Sequence, residues 1–253
     1  MTVTCDKKER LIAITWDRPP LNVFDFALLR QLDEILSSCA AETGIDVVVL
    51  RGAGERAFSA GVDIRDHTPE KVPEMLKLVH GVVRKLLALP QATVAAVRGV
   101  CLGGGLEIAT SCDLIVASEE SAFATPEIFV GCFPPVALAR FADLIGYQRA
   151  AEMIFTGRRF SAREAQTMGL INRVFAAAEF EENLQALFDE LLGKSGAVLR
   201  LTARGLRELS LQNFDRALAR SEEIYCRELL RTEDVAEGVA AFLEKRPPDW
   251  RHR

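Results

Sequence analysis

The chain has 253 residues, 49% of them hydrophobic, with mean hydropathy +0.11 and a net charge of −5. That is enough apolar material for one well-buried globular domain, or one domain with a C-terminal appendage, while the acidic balance argues against a non-specific nucleic-acid binder, which must neutralise phosphates. No apolar run reaches membrane-spanning length, Met1 to Lys8 resembles no targeting segment, and six scattered cysteines with three histidines offer no Cys-x-x-Cys or zinc spacing, so the expectation is a soluble cytoplasmic protein with reduced thiols and no metal.

Residues 3–16 read as a hairpin, with Leu11, Ala13 and Thr15 alternating with Ile12, Ile14 and Trp16 and the polar run Asp6-Lys7-Lys8-Glu9 as its turn. Arg18-Pro19-Pro20 ends it, since proline cannot donate to a ladder. Asp25 is placed to cap a helix over about 26–41, whose Leu28, Leu29, Leu32, Ile35 and Leu36 share one face. Val47 to Leu50 and Ala92 to Val97 are continuous apolar runs, which suit a sheet covered on both faces. Between them lie a loop, Ala57 to Ile64, and a helix over about 70–89. Gly99 to Gly105 is a glycine-rich turn, followed by a helix over Leu106 to Cys112 and short strands at Leu114 to Ala117 and Ser121 to Ala124. Beyond residue 146 the pattern is mostly helical. Alternating strands and helices followed by helices alone predict an α/β core with a helical C-terminal part, divided near residues 190–200.

Three features could carry chemistry. At Gly103-Gly104-Gly105 a buried strand runs into a helix. Glycine removes the side chain that would block a ligand, and N–H groups at a helix start lack internal partners, so a developing oxyanion would be stabilised there. A phosphate-binding loop is excluded because Gly105 stands where lysine is needed, and a dinucleotide fingerprint because Ile108 stands where glycine is needed. A plain tight turn remains open. Glu107 and Glu127 are the second feature. Glu107 follows the glycines among apolar Leu106, Ile108 and Ala109, and Thr125-Pro126-Glu127 reads as N-cap, N1 and N2 of a helical turn. Two such carboxylates facing one water can act as acid and base, although either could simply complement a helix dipole. The third is Phe58-Ser59-Ala60-Gly61-Val62-Asp63, which could supply a second backbone donor; Ala57 rules out a serine nucleophile elbow at Ser59. His67 and His80 lie outside these motifs and read as surface or packing residues. Arg200, Arg204 and Arg207 fall on one helix face, read as solvated, with an RNA-binding patch as the less favoured alternative.

Together, Ala57 to Asp63, Gly103 to Ala109, Cys112-Asp113 and Ala122 to Ile128 occur in the order of the crotonase, or enoyl-CoA hydratase/isomerase, superfamily, which the chain resembles over nearly its whole length. Arg18-Pro19 with Leu21-Asn22, Phe155-Thr156-Gly157, Gly169-Leu170 and Phe242 to Arg246 extend the resemblance. It implies an α/β fold, a spiral of ββα units over residues 1–193, with a helical region over 194–253 that aids assembly into a homotrimer or homohexamer. It implies an acyl-CoA thioester substrate, with coenzyme A as part of the substrate and no separate cofactor, and neither nucleic acid nor membrane as partner. The N–H groups of Val62 and Gly104 are expected to form the oxyanion hole. Glu107 is expected to orient and deprotonate water, and Glu127 to deliver or remove the carbon-bound proton. Ala60, Asp63, Ile64, Arg65 and Gly103 are expected around the substrate, Arg65 at a CoA phosphate, and Phe242 and Lys245 at the adenine end.

One stretch departs from the family pattern. Where a glycine-rich loop usually follows the second glutamate, this chain has Phe133-Pro134-Pro135-Val136-Ala137-Leu138-Ala139-Arg140. Pro135 cannot donate an N–H towards a catalytic water, and Val136 and Leu138 are expected to put bulk into the acyl pocket. This loop resembles that of cyclohexa-1,5-diene-1-carbonyl-CoA hydratases, which add water to a cyclic dienoyl-CoA. A linear enoyl-CoA hydratase, an isomerase or other crotonase reaction, and a non-catalytic CoA- or RNA-binding member are the alternatives.

Overall fold

The structure is a computed structural model and describes residues 2–252. Its hairpin is β1 (Thr2–Lys8) and β2 (Leu11–Asp17), antiparallel from Thr2↔Asp17 to Lys8↔Leu11. The turn is therefore Glu9-Arg10, with Glu9 at a left-handed φ of 52°. Of the polar run read as the turn, only Glu9 lies in it; Asp6, Lys7 and Lys8 belong to β1, an exposed edge strand on which charged side chains discourage pairing with other chains. Helix α1 (Phe26–Ala41) starts as expected: Leu28 N donates to the Asp25 carboxylate at 2.9 Å, and Leu28, Leu29, Leu32 and Leu36 are buried.

Three successive strand–strand–helix units follow. They are β3 (Val47–Gly52), β4 (Ala57–Ser59) and α2 (Val72–Ala88); then β5 (Ala92–Val97), β6 (Val100–Leu102) and α3 (Gly104–Ala109); then β7 (Leu114–Ser118), β8 (Ala122–Ala124) and α4 (Pro135–Ile145). The chain continues through α5 (Tyr147–Thr156), β9 (Phe160–Ser161), α6 (Ala162–Met168), β10 (Arg173–Phe175), α7 (Phe180–Leu192), α8 (Gly196–Ser210), α9 (Phe214–Arg227) and α10 (Glu233–Glu244). The first strand of each unit joins a six-stranded sheet, ordered β1-β2-β3-β5-β7-β10, and the second joins a four-stranded sheet, ordered β4-β6-β8-β9. This is the spiral of ββα units. Residues 57–59 and 100–102 are therefore strands, not loop and turn; three residues are too few to show a period-two pattern.

Both faces of the large sheet are covered, which explains its unbroken apolar runs. Val48, Leu50, Ala95 and Val97 face the main core, whereas Val47, Val49, Val94 and Ala96 pack against Phe180, Leu184 and Leu187 of α7. In the small sheet β4, β6 and β8 run parallel. Their C-terminal exits, at Ala60–Val62, Gly103–Gly105 and Thr125–Glu127, therefore emerge side by side. No helix among the described residues is long and apolar enough to cross a membrane.

The arginine face of α8 is not a free solvated surface. Arg207 is 7% exposed, forks onto the Asp113 carboxylate, and donates to the carbonyls of Leu89 and Gln91. Arg200 pairs with buried Asp46, and only Arg204 stands in solvent, beside Glu208. Two of the three guanidinium groups are thus committed to structural carboxylates and are not available to phosphates.

Candidate active site

The loop after β4 is held rigidly from beneath. Trp16 Nε1 donates to the Phe58 carbonyl at 2.7 Å, and the Trp16 ring meets Phe24 and Phe58 edge-on, at 5.3 and 4.7 Å between centroids. Asn22 Nδ2 donates to the carbonyls of Ala53 and Ala57, at 3.0 and 2.7 Å. Residues 21–24 then pair with the loop: Ala60 N donates to Leu21 O, Phe24 N to Gly61 O, and Asp63 N to Phe24 O, all within 2.8–2.9 Å. Gly61 N donates to Ser59 Oγ at 3.1 Å, while among the described residues the Val62 N–H meets no acceptor. It lies beside the first residue of α3. A Cβ built on Gly104 would stand 3.7 Å from Val62 N and 2.8 Å from Val62 Cγ2, and the Gly104 N–H, at a helix start, has no partner inside its helix. Among the described residues, two unpartnered backbone donors therefore sit on adjoining turns.

Helix α3 starts at Gly104, two residues earlier than expected, and ends at Ala109. Glu107 remains in its first turn and is 3% exposed. Its Oε1 accepts from the Val136 and Ala137 N–H groups at 2.8 and 3.1 Å, both in the first turn of α4. Its Oε2 faces the cleft, 4.0 Å from the position of a Cβ on Gly104. Glu127, in the 3-10 turn Pro126–Val130, hangs above Gly103: a Cβ there would lie 2.5 Å from Glu127 Oε1. The stem of Glu127 is half-buried, but its Oε2 is sealed from solvent and, among the described residues, accepts no hydrogen bond. Thr125 does not cap this turn as expected, because its hydroxyl donates instead to Met153 O at 3.1 Å.

Burial is the main influence on both carboxyls. It raises Glu107 above the usual carboxylate range, against the opposing effect of His80 and the two α4 amides. Burial and the negative charge of Glu107 push Glu127 up to about 8, against a smaller opposing effect of its own backbone N–H. Both shifts favour retention of a proton by the pair, and repulsion between the two carboxyls opposes their ionising together.

Both carboxyls line a cleft of about 200 Å³ together with Ala60, Val62, Ile64, Gly103, Gly104, Pro135 and Phe242. Other expected residues lie elsewhere. Asp63 turns away, held down to about 2 chiefly by its hydrogen bonds from the Arg65 side chain. Arg65, 66% exposed in its side chain, lies outside the cleft lining, as does Lys245, which closes α10 in a left-handed conformation at φ 55°. Val136 is fully buried and offers the cleft no side chain, and Leu138 is 41% exposed and outside it. The expectation of bulk from these two residues is corrected by helix geometry. The stretch begins α4, Pro135 takes the first position, where a missing N–H costs nothing, and the next two amides serve Glu107. His67 and His80 also line the cleft, and His80 is fully buried, as the packing reading allowed. Their positions beyond the glycine loops left no sequence signal; only the helix period of 70–89, with His80 one turn after Leu76, puts His80 on the apolar face.

The enoyl-CoA hydratase/isomerase family profile matches residues 6–253. This chain belongs to that family. Members similar to it include a cyclohexa-1,5-dienecarbonyl-CoA hydratase of Thauera aromatica, 32% identical over 100% of this chain and 97% of the relative. A short-chain-enoyl-CoA hydratase of Clostridium acetobutylicum is 31% identical over 96% of this chain and 95% of its own. Among solved structures, an enoyl-CoA hydratase from Mycobacterium avium subsp. paratuberculosis superposes with a TM-score of 0.89 at 29% identity, covering 98% of each chain. The crotonase fold expected from the motifs is the fold found.

Proposed function

We propose that this family member is a hydratase-type lyase that adds water to an α,β-unsaturated acyl-CoA thioester, or removes it. The observation that carries this reading is the pair of carboxyls in one cleft, of which Glu107 accepts from two amides of α4 while Glu127 Oε2 accepts no hydrogen bond among the described residues. In the hydration direction, the thioester oxygen sits between the N–H groups of Val62 and Gly104. As the enolate forms, each donor contributes about 3 kcal/mol of stabilisation. Glu107, ionised and fixed by α4, takes a proton from water through Oε2 while the water oxygen bonds to Cβ. Glu127, protonated, gives its proton to Cα. One proton enters the carboxyl pair as one leaves, so a proton shift between the two resets the site.

A pH dependence follows. Because Glu127 must be protonated to donate, kcat/KM for hydration is expected to fall as pH rises through about 8. A stopped assay from pH 6 to 10 would read this; a flat profile up to pH 10 would contradict the assignment of Glu127 as the acid.

For the acyl group we favour the cyclic cyclohexa-1,5-diene-1-carbonyl thioester. The support is the Thauera aromatica relative and a cleft walled by Phe133, Pro134 and Pro135, where proline rings stiffen the wall. Turnover of that dienoyl-CoA is expected to exceed turnover of crotonyl-CoA. Activity on crotonyl-CoA alone would replace the cyclic substrate with a linear one.

A further inference from the structure

One buried polar side chain lining the cleft has no part in the two-carboxylate scheme. His80 is fully buried on α2, and its Nδ1 lies 2.6 Å from Glu222 Oε1 on α9. A carboxylate only accepts, so Nδ1 carries a proton, and in the tautomer with that single ring proton Nε2 is an acceptor. Glu222 is held in its ionised form, first by that hydrogen bond and further by Arg84, 3.5 Å away. The other ring nitrogen, Nε2, is shielded from solvent and has no partner among the described residues. A buried unpaired nitrogen is costly and calls for an explanation. His80 lines the same cleft as the carboxyls, on a wall that is otherwise apolar: Met75, Leu76 and Val79. Helix α2, which carries His80, packs against α3, which carries Glu107.

We propose that His80, oriented by Glu222, is a third polar group of the site and binds through Nε2 the oxygen that Glu107 holds. That oxygen is the attacking water in one direction and the product hydroxyl in the other. This rests on the hydratase reading above. A water that gives one hydrogen to Glu107 Oε2 and the other to His80 Nε2 has a lone pair left for Cβ, so two acceptors orient the nucleophile as well as hold it. The α4 amides are spent on Glu107 and Pro135 has none to give, which leaves His80 as the second anchor.

The test compares wild type with His80→Leu, His80→Gln and Glu222→Gln, using crotonyl-CoA and cyclohexa-1,5-diene-1-carbonyl-CoA as substrates and butyryl-CoA as a binding probe. His80→Leu is expected to lower kcat about 10–100-fold while KM and butyryl-CoA affinity stay within about threefold. His80→Gln restores part of the loss by returning an acceptor. Glu222→Gln, on the more accessible partner, lowers kcat by about 3–10-fold even if the His80 variants fold poorly. Unchanged kcat in Glu222→Gln and in a folded His80→Leu overturns the role, as does an equal loss of butyryl-CoA binding. Wild-type protein that hydrates neither thioester sinks the hydratase reading itself, and this role with it.

Discussion

Replacing Glu127 with Gln is expected to lower kcat for hydration by about 10²–10⁴-fold, the usual contribution of a positioned proton donor. The amide keeps the shape but cannot give up a proton at the same cost. Glu107→Gln should fall in the same range, and the double variant should lose little more than either single one, because the two carboxyls serve one reaction cycle. Steady-state kinetics on the three variants decide the matter; a loss in Glu107→Gln of less than tenfold would mean that water is activated elsewhere. The Glu127 variant carries a second signature. In the unfolded chain this carboxyl ionises near 4.5, and in the fold near 8. Between those values the unfolded state has lost a proton that the folded state keeps, so the group's favourable contribution is complete below 4.5 and is lost as pH rises through about 8. Gln removes that dependence. Glu127→Gln should therefore gain thermal stability relative to wild type at pH 9 while losing activity, the pattern of a functional group that the fold tolerates and does not need.

Gly103→Ala should be nearly as damaging, by another route. Gly103 has φ 51° and ψ −128°, a backbone conformation closed to side-chain-bearing residues. The added methyl would also stand 2.5 Å from Glu127 Oε1 and 3.3 Å from its Cδ. Strain alone is expected to cost about 1–3 kcal/mol of stability, and displacement of Glu127 should reduce kcat about 100-fold. Chemical denaturation and kinetics on one preparation separate the two. A variant with full activity would show that Glu127 is not held over Gly103 during turnover.

The features legible in the sequence were those with local causes. Asp25 caps its helix because a carboxylate before an amphipathic run satisfies free amides. Glu107 is buried, as its apolar neighbours implied. The glycines mark close approaches of other groups, although Gly103 answers to Glu127 and Gly105 to Ser59, contacts that no spacing could reveal. What stayed hidden was tertiary. Arg207 resembles any surface arginine until Asp113, 94 residues away, is folded against it. Pro135 suggested a damaged water site, when its place at the head of α4 turns the next two amides onto Glu107. His80 carries no motif at all; its importance arises from Glu222, 142 residues later.

That last partnership changes how the C-terminal helices should be regarded. Ser221 Oγ donates to the Pro135 carbonyl at 3.0 Å, bracing the end of α4 that grips Glu107, and the next residue, Glu222, grips His80. One turn of α9 thus acts as a keystone for two walls of the cleft. The spiral supplies the reacting groups, but a segment more than 100 residues downstream of Glu107 fixes where they point, so mutations on α9 that never touch substrate can detune the chemistry.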